Sequence, residues 1–73
     1  MSQRRSGTVQ AVSEARKEAV IRADEDGADV LAAYTELSGS DGDRPTMRVG
    51  ERVTYTREEQ LQGPIARDIR ASV

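Results

Sequence analysis

Arginine is the residue with which this chain could do most chemistry. Arg44, Arg48, Arg52 and Arg57 recur at intervals of four and five residues, in a stretch that holds one acid, Glu51. A guanidinium is permanently charged, and its planar fork of donors fits two oxygens of a phosphate or of a carboxylate. On a strand, Arg48 and Arg52 share a face. The two are therefore candidate contacts for a phosphate or an acidic partner. The alternative is internal: the four arginines pair with the acidic block that precedes them.

Other chemistries find little support. The stretch Asp24-Glu25-Asp26-Gly27-Ala28-Asp29 is too irregular for a calcium loop of EF-hand type. Counted from Asp24, the fifth, sixth and twelfth positions are Ala28, Asp29 and Thr35, where that loop needs a carboxylate, a glycine and a glutamate. Asp41-Gly42-Asp43 is shorter still, and both read as solvated acidic faces. The chain has no Cys and no His, which removes the usual nucleophiles, proton shuttles and zinc ligands. No serine sits in a Gly-x-Ser-x-Gly setting and no glycine-rich loop could cradle phosphate. The composition thus excludes most enzyme classes and implies no cofactor, no metal and no small-molecule substrate. Arg4 and Arg5, beside Ser2 and Ser6, read as a solubilising end. With a pI near 5.0 and no aromatic residues interleaved with the basic ones, nucleic acid is not an expected partner.

The elements that must carry these residues are marked by charge. Residues 1–23 sum to +3, residues 24–43 hold seven acids and no base, residues 44–57 sum to +3, and the remainder is slightly acidic. Oppositely charged blocks attract within a chain or between chains. Residues 1–7 read as a flexible basic arm and residues 8–73 as one small domain. Val9, Val12, Arg16, Ala19, Val20, Ala23, Gly27, Val30, Leu31, Tyr34 and Leu37 fall on one stripe at helical period. That pattern predicts one long amphipathic helix over about 9–37, with Gly39 as its terminator. Residues 38–45 form a loop by composition. Met47, Val49, Val53 and Tyr55 alternate with polar residues, predicting a short extended segment over about 47–55. Thr56 to Glu59 fits a capping box, and a short helix broken at Gly63-Pro64 follows over about 57–70. The expected fold is mainly α.

Val, Ile, Leu and Phe make up about 18% of the 73 residues, little for a self-sufficient core. A domain this small is ordinarily completed by disulfides, a metal or a partner. The spacing of Ala19, Ala23 and Gly27 lets two helix backbones approach closely. Around Ala23 the apolar and charge patterns are nearly palindromic, with Lys17 facing Asp29 and Arg22 facing Asp24. Val9, Val12, Ala19, Val20, Ala23, Gly27, Val30, Leu31, Tyr34 and Leu37 are accordingly the expected helix–helix interface of an antiparallel homodimer. The same stripe could instead cover the C-terminal third, through Ile65 and Ile69, or meet another protein. Tyr34 and Tyr55, the only aromatics, are candidates for either interface or core.

Val12-Ser13-Glu14-Ala15-Arg16, then Gly50-Glu51-Arg52-Val53-Thr54-Tyr55-Thr56-Arg57 and Gly63-Pro64-Ile65-Ala66-Arg67, resemble the small antitoxins of the Phd/YefM type. The match covers about a quarter of the chain, and the segment between the motifs is longer here than in that family. The resemblance implies an operator-binding dimer with a toxin-binding tail. Taken from the residues themselves, the expected function is a small non-catalytic, homo-oligomeric helical interaction protein. It would regulate another protein or belong to a larger assembly such as a phage particle. The antitoxin-type DNA-binding regulator is the alternative. No apolar run reaches membrane-span length and no signal peptide opens the chain, so the expected place is the cytoplasm or a viral assembly.

Overall fold

The computed structural model describes residues 4–36 and 47–71. The helix expected over 9–37 is absent, and so is the broken helix expected over 57–70. Five strands stand in their place: β1 (Arg4–Ser13), β2 (Glu18–Ala23), β3 (Asp29–Ala33), β4 (Arg52–Gln60) and β5 (Gly63–Ala71). A 3-10 turn, Tyr34–Glu36, is the only helical segment among the described residues. The strands close into a barrel in the order β1-β2-β3-β5-β4, with β4 paired back to β1. Every pair is antiparallel except β3 with β5, which meet in parallel at Leu31↔Ile65 and Ala32↔Ala66. The mainly α expectation is therefore corrected to an all-β barrel.

The misreading has a physical origin. A spacing of four residues is close to one helical turn and is also two strand pleats. Ala19, Ala23, Val30 and Tyr34 satisfy both periods and are buried. Ile21 and Ala32 decide between them: both lie off the helical stripe, yet both are completely buried. The inward rows run Ala19-Ile21-Ala23 on β2, Val30-Ala32 on β3 continuing to Tyr34, and Val53-Tyr55 on β4. Val9 is buried with them, Val12 packs against them from a half-buried position, and Val20 and Leu31 face outward. Gly27 lies in the β2–β3 turn with φ 71°, a left-handed backbone that favours glycine. Leu37 and the loop expected over 38–45 lie outside the described residues. The proposed helix interface thus has no common face, and Ala23, the centre of the supposed dimer, is sealed inside the barrel.

Further along, residues 48–51 form a turn, closed by the Glu51 N–H donating to the Arg48 carbonyl at 3.0 Å. The extended segment expected over 47–55 therefore begins only at Arg52, and it runs on through the supposed capping box to Gln60. Gly63-Pro64 opens β5 and does not restart a helix; proline is tolerated at the start of a strand. Residues 4–7, assigned in sequence to a basic arm, are the first residues of β1, while residues 1–3 lie outside the described region.

Two irregularities bend the sheet into a closed form. On β1, Gln10 is an extra residue between Val9↔Ile21 and Ala11↔Val20, so Ala11 turns outward and Val12 inward. On β5, the pairing jumps from Thr54↔Arg70 to Thr56↔Arg67, with Asp68 at φ 51° between them. Ala66 and Ile69, three residues apart, thereby both point inward. The core is narrow enough for four alanines, Ala19, Ala23, Ala32 and Ala66, to share it with Tyr55, Ile21 and Ile69. Small and large residues alternate in this way to fill small barrels. That arrangement is how a chain poor in Val, Ile and Leu fills an interior.

Gly7 is buried where β1 passes over β2. A Cβ there would stand 2.5 Å from Ile21 Cγ2 and 2.7 Å from the Arg22 carbonyl oxygen. Gly7→Ala should destabilise the barrel by about 1–3 kcal/mol, the usual range for overpacking, read from the urea midpoint. Tyr55 is fully buried with no hydrogen-bond partner for its hydroxyl among the described residues, and burial raises its pKa. An unmatched buried hydroxyl costs about 1–3 kcal/mol. Tyr55→Phe should accordingly match or exceed the parent in stability, and a clear loss in the same urea titration would show that the hydroxyl has a partner.

Candidate functional site

Inward parity on β1 and β4 continues past the apolar core to Arg5 and Arg57 at one mouth of the barrel. Arg57 is the less accessible, with 13% of its side chain exposed. The β2–β3 loop, residues 24–28, lies against them and carries Asp24, Glu25 and Asp26. Each acid meets an arginine. Arg5 donates to Glu25 at 2.6 Å, Arg57 to Asp26 at 3.1 Å, and Arg52 grips both oxygens of Asp24 at 3.0 and 2.6 Å. Arg52 also donates to the Thr8 hydroxyl at 2.8 Å. Backbone bonds hold the loop itself: Asp24 N–H to the Ser6 carbonyl, Ala23 N–H to Ala28, and Gly27 N–H to Ala23. A second set ties Arg67 to Glu36 and Glu58, and Arg4 and Arg70 to Asp68.

Protonation follows from these contacts. The Arg52 hydrogen bond holds Asp24 below the usual carboxylate range. Asp26 is lowered first by the Ala28 N–H and then by Arg57. Glu36 is lowered by the Asp68 N–H and by Arg67, and Glu58 by Gln60 and Arg67.

Six of the ten described cations are thus committed to carboxylates. The four without an ion-pair partner among the described residues are Arg16, Lys17, Arg22 and Arg48. They border one surface, the outer face of β1, β2 and β3. Register lays that face out in three rungs: Thr8–Arg22–Asp29, Ala11–Val20–Leu31 and Ser13–Glu18–Ala33. The middle rung is apolar and continues to Ile65 on β5; Leu31 is 40% exposed. Arg16 and Lys17 lie in the β1–β2 turn beyond the third rung. Arg22 stands in the first, and Arg48 opens the turn whose Gly50 N–H bonds the Val9 carbonyl. A cleft of about 440 Å³, lined by Thr8, Val9, Gln10, Arg22, Asp24, Val49 and Gly50, lies beside the first rung.

Of the two arginines singled out in sequence, Arg48 is exposed in its turn and Arg52 is held by Asp24. Sequence reasoning places Lys17 and Arg22 only as charge partners of Asp29 and Asp24 across a helical dimer; the strand register instead aligns Arg22 with Thr8 and Asp29. Among the described residues no group of three or more acids could hold a metal ion, and no helix is long and apolar enough to cross a membrane.

No family model and no curated protein matches this chain. Its fold matches a solved structure described as Drosophila Unr CSD456, with a TM-score of 0.79 and 19% identity over 99% of this chain. This chain spans 28% of the length of that one. The barrel is therefore of the cold-shock domain type. That fold overturns the helical interaction protein and, with it, the antitoxin-type regulator: the Ser13-to-Arg16 motif, expected inside the long helix, is a strand end and a turn. The expectation against nucleic acid falls too. It rests on the pI and the lack of interleaved aromatic residues, and it does not stand for a barrel of this fold.

The clasp around the acidic loop gives a pH signature. Because the folded carboxylates titrate below their unfolded range, their contribution is complete above that range and is lost as pH falls through the lowered values. The thermal midpoint should be nearly constant from neutrality to about pH 5 and decline below about pH 4. A midpoint that stayed level through that acid range would show that the ion pairs contribute nothing.

Proposed function

We propose that this barrel binds single-stranded nucleic acid on the outer face of β1, β2 and β3, and that it acts by binding without catalysis. One observation carries the reading: the four uncommitted cations bracket an outward-facing apolar rung, in which Ala11 and Leu31 are exposed and Val20 is half-buried. Arg16 and Lys17 stand at one end, Arg22 and Arg48 at the other. Lys17 and Arg22 are separated by five residues of strand, about 17 Å. A single strand laid along this track would place phosphates near the ends and bases over Ala11, Val20 and Leu31. The β2–β3 face and the β1–β2 loop are where barrels of this class take oligonucleotides, and the cold-shock domain likeness supports the reading through the fold.

The same face sets the affinity low. Tyr34 and Tyr55 are buried, so stacking on aromatic rings, about 1–3 kcal/mol per base where it occurs, is not available. Glu18 and Asp29 lie in the outer rungs and repel phosphate. Binding should therefore be weak, indifferent to sequence and dominated by counterion release. The expected compartment is the cytoplasm or a viral assembly, as the sequence reading has it.

Fluorescence anisotropy with a labelled single strand of roughly ten nucleotides tests this. At about 20 mM salt a saturable rise is expected, and log Kd should climb with log salt at a slope of about 3, as four phosphate contacts imply. Arg22→Ala and Lys17→Ala should each weaken binding to every sequence and lower that slope by about 0.7. No anisotropy change at low salt, or one that ignores both substitutions, would remove the proposal.

A further inference from the structure

We propose that the cleft beside the first rung is a seat for a phosphate group, and that the Asp24 carboxylate keeps it closed by occupying the Arg52 guanidinium. The inference rests on the nucleic-acid reading and adds a specific subsite and its control. Arg52 holds the two oxygens of Asp24 in a two-pronged grip at 3.0 and 2.6 Å. The planar fork that fits a carboxylate this way fits two phosphate oxygens equally. Asp24 is thus an internal stand-in for the anion the fork would otherwise take.

The surroundings supply the rest of a phosphate site. The Thr8 hydroxyl already accepts from Arg52 at 2.8 Å and lines the cleft. Arg22 lies opposite Thr8 in register, lines the same cleft and has no ion-pair partner among the described residues. Arg48 precedes Val49 at the rim. Arg22, the Thr8 hydroxyl and the Asp24 carboxylate thus line about 440 Å³ of space, and Arg52 stands behind the last two, bonded to both.

The gate can open without unfolding the loop. Glu25 and Asp26 have their own arginines, Arg5 and Arg57, and the loop backbone is held independently at Ser6, Ala23 and Ala28. The Asp24–Arg52 pair is about half exposed on both sides, so it is screened and replaceable. A phosphate that also engages Arg22 has more to gain at the fork than Asp24 has to lose. A single stray anion gains little, whereas a chain already anchored at Lys17 and Arg22 brings its next phosphate to the fork at high local concentration. Asp24 would thereby favour polyanions over small anions.

The test compares the parent with Asp24→Asn, and with Glu58→Gln as a charge-matched change far from the cleft. Asp24→Asn should tighten single-strand binding on the order of fivefold at low salt and steepen the salt slope by about 0.7, one added phosphate contact. Glu58→Gln should do neither, and Arg52→Ala added to Asp24→Asn should erase the gain. Titration of the parent with inorganic phosphate, and separately with the oligonucleotide, followed by amide and arginine NMR shifts, needs no variant. Shifts at Thr8, Arg22 and Arg52 with the oligonucleotide support the seat. The same shifts with inorganic phosphate alone support it as an anion site while removing the nucleic-acid reading. If the oligonucleotide binds in a Lys17-dependent way but Asp24→Asn gains nothing and these shifts are absent, the seat is refuted and the broader reading stands. Silence from both ligands in parent and variant refutes both.

Discussion

Strand β1 can serve two neighbours at once because Gly7 brings no Cβ to a place already filled. Gly7 is paired with Ala23 on β2 and with Val53 on β4, and Thr8 with Arg22 and Arg52, so these two residues join β1 to both neighbours. The Ile21 methyl and the Arg22 carbonyl lie where a side chain would be, and Tyr55 lies against the same spot. Past Thr8, β4 leaves β1 and the 48–51 turn takes its place, with Gly50 and Glu51 bonding the Val9 backbone. That handover creates the cleft beside the first rung, and the Gln10 bulge that follows re-aims β1 so that Ala11 joins the outer apolar rung. Closure, cleft and binding face thus meet along the Gly7-to-Ala11 stretch of β1.

The same closure raises an electrostatic problem at the barrel mouth. Inward parity that buries Val53 and Tyr55 carries Arg57 in the same direction, and parity through Gly7 does the same for Arg5. A partly buried cation needs a counter-charge. The β2–β3 loop answers with three consecutive acids, bent back by Gly27 and by the Ala28 N–H donating to Asp26 Oδ1 at 3.0 Å. Exposed pairs of this sort are weakened by solvent and salt, so their effect is less to stabilise the barrel than to fix where the loop lies. A loop so placed puts Asp24 at the edge of the cleft.

How far the sequence discloses this differs by level. The segregation of charge is legible: an acidic middle block between basic blocks is what the loop and its arginines require, and Arg52 and Arg57 do meet Asp24 and Asp26. The outer strand register is not. Residues four apart cannot separate helix from strand, and the β1–β2 turn is made by Lys17 at φ 57°, where no glycine announces it. The run Glu18-Ala19-Val20-Ile21-Arg22-Ala23 does hold the decisive signal, since Ile21 between two alanines fits only a period of two. Arg22 and Lys17 become site residues only after that register is known, because their meaning lies in Thr8, Asp29 and Leu31 across the sheet.

Overall charge also hides the site. Among the described residues, ion pairs absorb six cations and seven acids, leaving Arg16, Lys17, Arg22 and Arg48 against Glu14, Glu18, Asp29 and Glu51. The remainder is balanced, so long-range steering of a polyanion is weak and any attraction must come from arrangement. Within a Debye length of about 8–10 Å, each end of the track sets two cations beside two acids, while its middle is apolar. A duplex offers phosphates at both ends but buries its bases, and it leaves Val20 and Leu31 facing water. A single strand can satisfy the ends and cover the middle. Discrimination between the two then rests on the uncharged rung, where the burial of exposed Leu31 and its neighbours, and not the count of arginines, decides which nucleic acid is held.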